Sequence, residues 1–406
     1  MSEFIDYAQV DAVHCLTDRV ADLIERRKNA VEHICAERSR IVTNSWKETA
    51  GQNLDIRRAK LFRAIMRENP ISIWPGELIV GSQSQFFFGS SPYVDYSPDS
   101  AYENLSAMGG PSGGSSVVAA EISEEERQSI LEDCKFWKGH STGDIVKAVK
   151  DAKFPWLPDW AESGLVMGMT LVAPPGVRTV DYGKVIDIGL EGVIAEAKAA
   201  MAALPYEDDS KGDYERDCFL QAVIIACEGA IEYAKRYAAL AKKMAAEEAD
   251  PVRRKELEEI AEVCEHVPAK PARSFREAVQ SFWFVHLCLN LEIAFHAETP
   301  GRLDQYLYPT YRKDVIENKT LSRQDAAELV ACLFVKFNQV TSVKSSYDKK
   351  NIPGTHLQNT TICGVRRDGS DASNELSYLL LETLEQVQFP QPPIYVRYHK
   401  DIDRKV

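Results

Sequence analysis

Residues 274–311 read SFREAVQSFWFVHLCLNLEIAFHAETPGRLDQYLYPTY. Apolar residues recur at i, i+3, i+4 and i+7 over the first half of this stretch and fill most other faces too, which is typical of a helix buried inside a sizeable protein. Polar residues follow at Glu292, His296 and Glu298. The turn Thr299-Pro300-Gly301 then ends the pattern, because proline cannot continue a helix and glycine permits the turn. A buried helix that delivers a histidine and carboxylates to a sharp turn is typical of a closed cavity.

Composition excludes several classes of protein. The 406 residues suffice for two or three average domains or for one large α/β barrel. A net charge of -13 argues against nucleic acid, whose phosphates require a basic face. Residues 1–13 contain acids and no apolar core, which is not a signal peptide, and the apolar run 282–295 is interrupted by polar residues and too short for a membrane span. We therefore expect a cytoplasmic protein with neither a nucleic acid nor a membrane partner.

The cysteines favour reduced thiols over a disulfide framework or a metal site. There are nine of them, an odd number, at irregular spacing and with no Cys-x-x-Cys pair. Most are expected to act as small buried hydrophobic residues. No metal ligand set is predicted.

Periodicity predicts a single helix-dominated domain with a few strands and no linker. The predicted helical regions are 9–50, 55–69, 121–151, 182–203, 214–248, 251–266, 274 to the turn at 299–301, 322–339 and 373–387. Short apolar runs at 78–81, 360–365 and 393–398 predict buried strands. A capping box is predicted at Ser123 and Glu126.

Residues 82–116 have little periodicity and are rich in serine, glycine and proline. A flexible linker is one interpretation. Five aromatic residues at 86–88, 93 and 96, which include Phe87, favour a packed loop that lines a pocket, because linkers rarely contain so many aromatic side chains.

Five sequence blocks carry a family resemblance. Residues 299–315 read TPGRLDQYLYPTYRKDV, and residues 321–339 read LSRQDAAELVACLFVKFNQ. The shorter blocks are RRA at 57–59, the segment from PI at 70–71 through GELIVG at 76–81, and NELSY at 374–378. Taken in their order along the sequence, the blocks closely resemble those of the glycyl radical enzymes related to pyruvate formate-lyase, and they extend over nearly the whole chain.

The resemblance implies a fold. Family members form a barrel of ten strands in two five-stranded halves, wrapped in helices. Residues 1–406 would then be a single α/β domain, helix-dominated, that supplies the N-terminal helical region and about half of that barrel. We expect this domain to be truncated at its C-terminal end relative to a complete enzyme.

The resemblance also implies radical chemistry whose two central residues are not in this sequence. Family members store a radical on a glycine near the C-terminus and use a cysteine in a Gly-Cys-x-Glu loop as a thiyl that removes hydrogen from the substrate. Neither motif occurs before Val406, so we expect no catalytic residue in this chain, which alone should be inactive. Cys363 lacks the loop context and fits a buried structural thiol better than the thiyl residue.

Partners and cofactors follow from the same resemblance. No bound cofactor is expected. The radical would be installed in the full-length protein by an activating enzyme that uses S-adenosylmethionine and an iron–sulfur cluster. The family further suggests a homodimer that acts on a small molecule.

Three candidate pocket residues precede the turn at Pro300. Dehydratases of the family carry Gly-His-Ser before Pro-Gly-Arg. Aligned on Pro300, the histidine is kept as His296, the serine becomes Ala297, and Glu298 follows. His296 is predicted to face the pocket, although a buried histidine at a helix end is often a satisfied core residue.

Further candidates lie before the helix predicted at 182–203. Dehydratases and sulfonate lyases of the family often carry polar anchors there, and the matching residues of this chain are apolar, Val177 among them. Arg178 either replaces the lost charge or is a surface arginine. Phe87 could add an aromatic wall to the pocket.

These residues disfavour a small polyol, whose hydroxyl groups would be buried without partners. We expect radical cleavage of a C–C or C–X bond, as in the lyase, dehydratase and decarboxylase branch, on a small organic acid with an apolar or aromatic group favoured. Two alternatives stay open. One is a formate C-acetyltransferase (pyruvate formate-lyase), and the other is a catalytically inactive fragment or scaffold.

Overall fold

Helices dominate the fold, as predicted. The computed structural model describes residues 12–96, 98–108, 120–153, 155, 177–205, 212–293, 297–343 and 357–402. In chain order the helices are α1 (Asp18–Asn29), α2 (Glu37–Glu48), α3 (Leu54–Glu68), α4 (Pro98–Met108), α5 (Glu124–Trp137), α6 (Thr142–Lys153), α7 (Tyr182–Ala202), α8 (Asp213–Glu247), α9 (Pro251–His266), α10 (Phe275–Glu292), α11 (Leu303–Tyr306), α12 (Tyr308–Tyr311), α13 (Arg323–Gln339) and α14 (Glu375–Val387). A π-helix, Arg312–Glu317, follows α12.

The strands are short and all their pairings are parallel. They are β1 (Glu32–Ile34), β2 (Gly89–Ser90), β3 (Ala120–Glu121), β4 (Val177–Arg178), β5 (Ala297–Glu298), β6 (Gly301–Arg302), β7 (Thr360–Cys363) and β8 (Ile394–Arg397). Within the described residues they form three separate sheets with the orders β2-β1-β3, β4-β5 and β6-β7-β8. Helix-dominated architecture with small parallel sheets is thus confirmed, and the strands predicted at 360–365 and 393–398 are β7 and β8. A ten-stranded barrel stays a prediction.

The helix α10 forms the centre of the core, as its sequence predicts. The side chains that define its periodicity are 0–1% exposed, and they are Phe275, Val279, Phe282, Trp283, His286, Leu287 and Asn290. It packs against α3, α7, α8, α9 and α13. The turn beyond it includes Gly301 at φ 73, a left-handed conformation that glycine adopts without steric cost.

The long helix α8 binds the N-terminal helices to this core. It packs against α3, α7 and α9. A Cβ atom on Gly229 would lie 3.0 Å from the Cα atom of Arg63 in α3, so a larger residue there would push the two helices apart. Arg63 donates hydrogen bonds to Glu228 at 2.6 Å and to Glu232 at 2.5 Å beside the contact.

Two predicted helical regions are interrupted. The region 9–50, predicted as helices, contains α1 and α2, but the strand β1 lies between them and pairs with β2 and β3. The region 121–151 is two helices, since α5 ends at Trp137 and Ser141 begins a second capping arrangement with Asp144. The predicted capping box at Ser123 and Glu126 is confirmed.

The strand predicted at 78–81 is also wrong, although the segment is buried. Val80 pairs with a side chain instead of a neighbouring strand: its N–H donates to Gln280 Oε1 at 2.9 Å, and its carbonyl accepts from Gln280 Nε2 at 2.8 Å. The amide group of a glutamine on α10 therefore takes the place of a strand's peptide group.

The aromatic residues between 82 and 96 are packed, which excludes the linker interpretation for that part of the stretch. Phe87 and Phe88 are each 7% exposed. The Arg27 guanidinium lies 3.5 Å from the ring centroid of Phe88, and His33 stacks on Phe86 at 3.7 Å. Residues 109–116 lie outside the described residues.

Candidate functional site

Strands β4 and β5 lie side by side in parallel, and their register places an arginine opposite a glutamate. Val177 pairs with Ala297, and Arg178 pairs with Glu298. The Arg178 guanidinium forms an ion pair with the Glu298 carboxylate. The Glu298 side chain is 1% exposed and the Arg178 side chain 17%. Arg178 is therefore not the surface arginine of the second interpretation.

Arg178 also contacts the C-terminal end of α10. Its Nη2 atom donates to the carbonyl of Ile293 and lies 3.5 Å from that of Leu289. The last carbonyls of a helix lack intrahelical donors and carry a partial negative charge, which favours a cation at this position. One guanidinium thus satisfies both backbone acceptors and the Glu298 carboxylate.

A chain of alternating charges continues from Arg178 into the N-terminal helices. Glu292 Oε2 lies 3.8 Å from Arg178 Nη1, and Glu292 Oε1 accepts from Arg58 Nε at 2.7 Å. Arg58 Nη1 donates to Asp95 Oδ2 at 2.9 Å. Asp95 Oδ1 accepts from Arg38 Nη1, also at 2.9 Å. With Glu298 included, three arginines and three carboxylates form one network, which we call the arginine–carboxylate chain.

Arg38, at the other end of the arginine–carboxylate chain from Glu298, also contacts the last turn of α10. Arg38 is 1% exposed, and it donates to the carbonyl of Leu291 at 2.9 Å and to that of Glu292 at 2.5 Å. Its guanidinium lies 4.0 Å from the ring centroid of Tyr93. The Tyr93 hydroxyl donates to the carbonyl of Asn290 at 2.7 Å. Side chains from two separate regions therefore fix the end of α10 just before β5.

Asp95 and Arg58, at the centre of the arginine–carboxylate chain, keep their charges at neutral pH. Burial alone would raise the pKa of the Asp95 carboxyl, but the Arg38 and Arg58 guanidiniums outweigh it and lower that pKa below its usual value. Burial opposes the charge on Arg58, yet Asp95 and Glu292 raise its pKa. Burial is also the main cause of the raised pKa of the Tyr96 hydroxyl, to which Arg58 donates.

A second polar group joins the start of α7 to the middle of α10. The Tyr182 hydroxyl lies 2.9 Å from His286 Nδ1, and His286 Nε2 lies 2.9 Å from Gln358 Oε1. Gln358 Nε2 donates to the Phe337 carbonyl at 2.6 Å, so Gln358 Oε1 faces the histidine as an acceptor. His286 therefore carries its hydrogen on Nε2 and accepts from Tyr182 at Nδ1. Burial raises the pKa of Tyr182, which keeps the phenol protonated as the donor.

The turn after β6 places a buried carboxylate beside Cys363. Asp304 Oδ2 accepts from the Cys363 N–H at 2.7 Å and from the Ser377 hydroxyl at 2.6 Å. Both Asp304 and Cys363 are 0% exposed. Burial raises the pKa of the Cys363 thiol, and Asp304 adds to that effect, so the thiol stays protonated. This environment agrees with the prediction of a buried structural thiol.

The structure brings together some of the predicted pocket residues. Ala297, Glu298 and Arg178 meet in the β4–β5 pair, with Ala297 6% exposed and also bridged to Leu357. Val177 belongs to the same pair through its backbone register. His296 lies outside the described residues.

Phe87 lies beside α1. Its ring is in edge contact with Trp74 at 5.8 Å, and the Arg26 guanidinium of α1 lies 5.5 Å from its centroid. These neighbours account for its burial through packing against the N-terminal helices.

Sequence reasoning missed Arg38, Asp95 and Arg58, which connect the pair to the rest of the protein. One signal was present. Asp95 occurs in an aromatic-rich segment predicted to pack, and a buried carboxylate requires a cationic or hydrogen-bonding partner. The partner could not be chosen from the sequence because 57 residues separate Arg38 from Asp95 and 254 separate Arg38 from Glu292.

The described part of the chain lacks two other kinds of feature. No three histidine, cysteine, aspartate or glutamate residues there are grouped so as to hold a metal ion. Nor does that part contain a helix with the length and apolar character needed to cross a membrane.

Comparison with known proteins defines the class to which this fold and site belong. Residues 16–406 match the model of the family described as pyruvate formate lyase-like. The chain belongs to the pyruvate formate lyase-like family, and the resemblance seen in its sequence blocks is confirmed.

Particular relatives are dehydratases and lyases. The chain is 33% identical over 393 residues to trans-4-hydroxy-L-proline dehydratase of Clostridioides difficile, covering 96% of this chain and 48% of that protein. It is 31% identical to isethionate sulfite-lyase of Nitratidesulfovibrio vulgaris, covering 96% and 48%. A solved structure described as 1,2-propanediol dehydration in Roseburia inulinivorans matches with a TM-score of 0.89 and 34% identity, covering 96% and 48%. The chain thus spans about half the length of the curated relatives it matches.

Proposed function

We propose that this chain is the N-terminal part of a glycyl radical enzyme that cleaves a C–C or C–X bond, in the lyase, dehydratase and decarboxylase branch of its family. The observation that carries the proposal is the match of residues 16–406 to the family. Relatives named dehydratase and sulfite-lyase support the branch. The thiyl cysteine and the radical glycine would belong to the part of the complete protein that corresponds to the other half of those relatives.

The complete protein would close a ten-stranded barrel of which this chain supplies about half. β8 is the outer strand of its described sheet, and its Tyr395 and Val396 are 55% and 38% exposed. Parallel strands are usually covered on both faces and on both edges, so exposed apolar residues at such an edge favour further pairing. A parallel strand added beside β8 would cover these side chains.

The substrate would be a small organic acid with an apolar or aromatic group. Support comes from the register partners Val177 and Ala297, which are apolar residues at adjacent positions of two strands. A polyol bound against them would leave hydroxyl groups without partners, at a cost of about 1–3 kcal/mol for each buried group. His296, Glu298, Arg178 and Phe87 are the other proposed pocket residues, and Phe87 has the least support because its neighbours lie on the side of α1.

Activation would require a partner protein. An S-adenosylmethionine-dependent, iron–sulfur activating enzyme would install the glycyl radical, and no other cofactor would be bound. A cytoplasmic homodimer is the expected form of the complete enzyme.

Electron paramagnetic resonance tests this proposal. The full-length protein, incubated anaerobically with an activating enzyme and S-adenosylmethionine, should give the doublet of a glycyl radical, and the 406-residue chain should give none under the same conditions. Arylacetates, hydroxy acids and diols are then compared as substrates of the activated enzyme. Absence of the doublet, with an activating enzyme that is competent on its own cognate protein, would contradict the proposal.

A further inference from the structure

The pair formed by Arg178 and Glu298 has a role within the proposed function, and the inference about that role rests on the proposed function. We propose that Arg178 and Glu298 position β4 and β5 from the side facing α10, and that Arg178 does not bind the acidic group of the substrate. Ala297, at the preceding level of β5, would then belong to the opposite, substrate-facing side of the strand pair. Its methyl group would contribute to a preference for an apolar group.

The alternation of a strand separates the two roles. Arg178 and Glu298 occupy the same register level, and Val177 and Ala297 occupy the preceding level. Successive residues of a strand face opposite sides of the sheet. Arg178 reaches the carbonyl of Ile293 directly after α10, so its level faces that helix. Ala297, at the preceding level of β5, is therefore assigned to the other side.

The Nη2 atom of Arg178, which belongs to both edges of the guanidinium that could bind a carboxylate in bidentate fashion, is already committed. It contacts the Glu298 carboxylate and the carbonyls of Leu289 and Ile293. The Nε atom of Arg178 is buried and has no hydrogen-bond partner among the described residues. Bidentate binding of a substrate carboxylate needs two parallel N–H groups on one edge of the guanidinium. No such edge is left without breaking a contact to Glu298 or to the backbone.

Electrostatics also oppose a substrate anion at this position. Arg178 has a carboxylate from Glu298 in direct contact and one from Glu292 at 3.8 Å. Glu292 is also paired with Arg58 at 2.7 Å, so the arginine–carboxylate chain already balances three guanidiniums with three carboxylates, and a substrate carboxylate would add a fourth negative charge without a cation of its own. The local charge balance thus favours a structural ion pair over an anion-binding site.

The pair can influence the reaction because it belongs to the arginine–carboxylate chain. Glu292 connects Arg178 to Arg58, and Arg58 connects to Asp95. These contacts hold the end of α10 and the start of β5 in one geometry. A displacement of about 1 Å at a substrate-bearing wall can lower a rate by on the order of 100-fold.

The test compares three variants of the full-length protein: Arg178→Gln, Glu298→Gln and the double variant. A glutamine at position 178 can still donate to the Ile293 carbonyl, and two glutamines can pair with each other. Arg323→Gln is the matched control, because the Arg323 side chain is 18% exposed and paired with Glu382 at 2.8 Å. Unfolding temperatures are measured without activation, and kcat and KM are measured on the activated enzyme with its best carboxylate substrate.

A positioning pair predicts a shared pattern. Each single variant should lower the unfolding temperature and reduce kcat by on the order of 100-fold, with KM changed by no more than about twofold. The double variant should recover part of both losses, because neither buried charge is left alone. The control should keep the wild-type kcat.

Two results would overturn the inference. A rise in KM confined to Arg178→Gln, with kcat retained, would make Arg178 the group that binds the substrate's acid. Additive losses in the double variant would mean that the two residues act separately. If the wild type forms no glycyl radical, the proposed function fails, but the pairing can still be tested. Additive decreases in unfolding temperature across the single and double variants would then refute it.

Discussion

Substitution of Asp95 by asparagine is the most direct perturbation of the arginine–carboxylate chain. The Asp95 side chain is 1% exposed, and it accepts from Arg38 at 2.9 and 3.4 Å and from Arg58 at 2.9 Å. Asparagine has nearly the same volume, so the change removes charge and one acceptor without opening a cavity. Two guanidiniums are then left around a single amide oxygen.

The magnitude follows from the burial of these groups. Breaking a buried ion pair by removing one partner typically costs about 3–5 kcal/mol, since the remaining charge is desolvated without compensation. The Arg38 side chain is only 2% exposed and cannot turn to water. Arg58 is 28% exposed and keeps Glu292, so most of the loss is expected at Arg38. We expect Asp95→Asn to lower the free energy of unfolding by about 3–5 kcal/mol near neutral pH.

The pH dependence has a definite sign. The pKa of Asp95 is lowered in the folded protein, whereas an unfolded aspartate titrates near about 4. The stabilisation by the carboxylate is therefore complete above about pH 5 and is lost as the pH falls through the folded pKa. The difference between the wild type and Asp95→Asn should be constant at neutral pH and should shrink in acid.

Urea unfolding followed by far-ultraviolet circular dichroism measures this difference at a series of pH values. The control is Asp22→Asn, at an exposed position of α1, for which a change within about 0.5 kcal/mol is expected. The reasoning fails if Asp95→Asn costs no more than the control, or if the difference between Asp95→Asn and the wild type grows as the pH falls.

Two further predictions concern the core. The Lys336 and Glu77 side chains are each 2% exposed and paired; Lys336→Met should therefore cost about 3–5 kcal/mol in urea unfolding, whereas Lys336→Met with Glu77→Leu should recover most of it. Additive losses would contradict the pairing. Cys363 has φ 61, a left-handed conformation that disfavours any Cβ atom. Cys363→Gly should therefore be more stable than Cys363→Ala by about 1 kcal/mol, and the reverse order of urea midpoints would exclude strain at this position.

The helical part of the fold could be predicted because its signals are local. In α10 the apolar period predicts the buried face, but the predicted end at the Pro-Gly turn is wrong, because the helix ends at Glu292 and the strand β5 precedes the turn. The capping box at Ser123 and Glu126 is equally local, since three residues separate its members. Such patterns require no knowledge of distant parts of the chain.

The strands were harder to predict because most are too short to show a period. β2, β3, β4, β5 and β6 contain two residues each, and β1 contains three. An alternation of period two needs about four to eight residues to be recognised. At 78–81 the opposite error occurred, because a buried extended segment has the composition of a strand even where Gln280 supplies its hydrogen bonds. Composition reports burial, whereas the pairing partner depends on the tertiary fold.

The same distinction explains why the role of Arg178 needed the structure. Alignment on the Pro-Gly-Arg turn located Glu298, and the segment before the helix predicted at 182–203 located Arg178. However, 120 residues separate them, and neither position indicates that they are register partners. Once paired, each residue accounts for the burial of the other, because an unpaired charge at 1% exposure would not be tolerated. A charge predicted at a pocket wall is thus available to a substrate only when no second buried charge of opposite sign has the same register. Because Glu298 supplies that charge here, the proposal that Ala297 faces the substrate is the better basis for a search for the substrate.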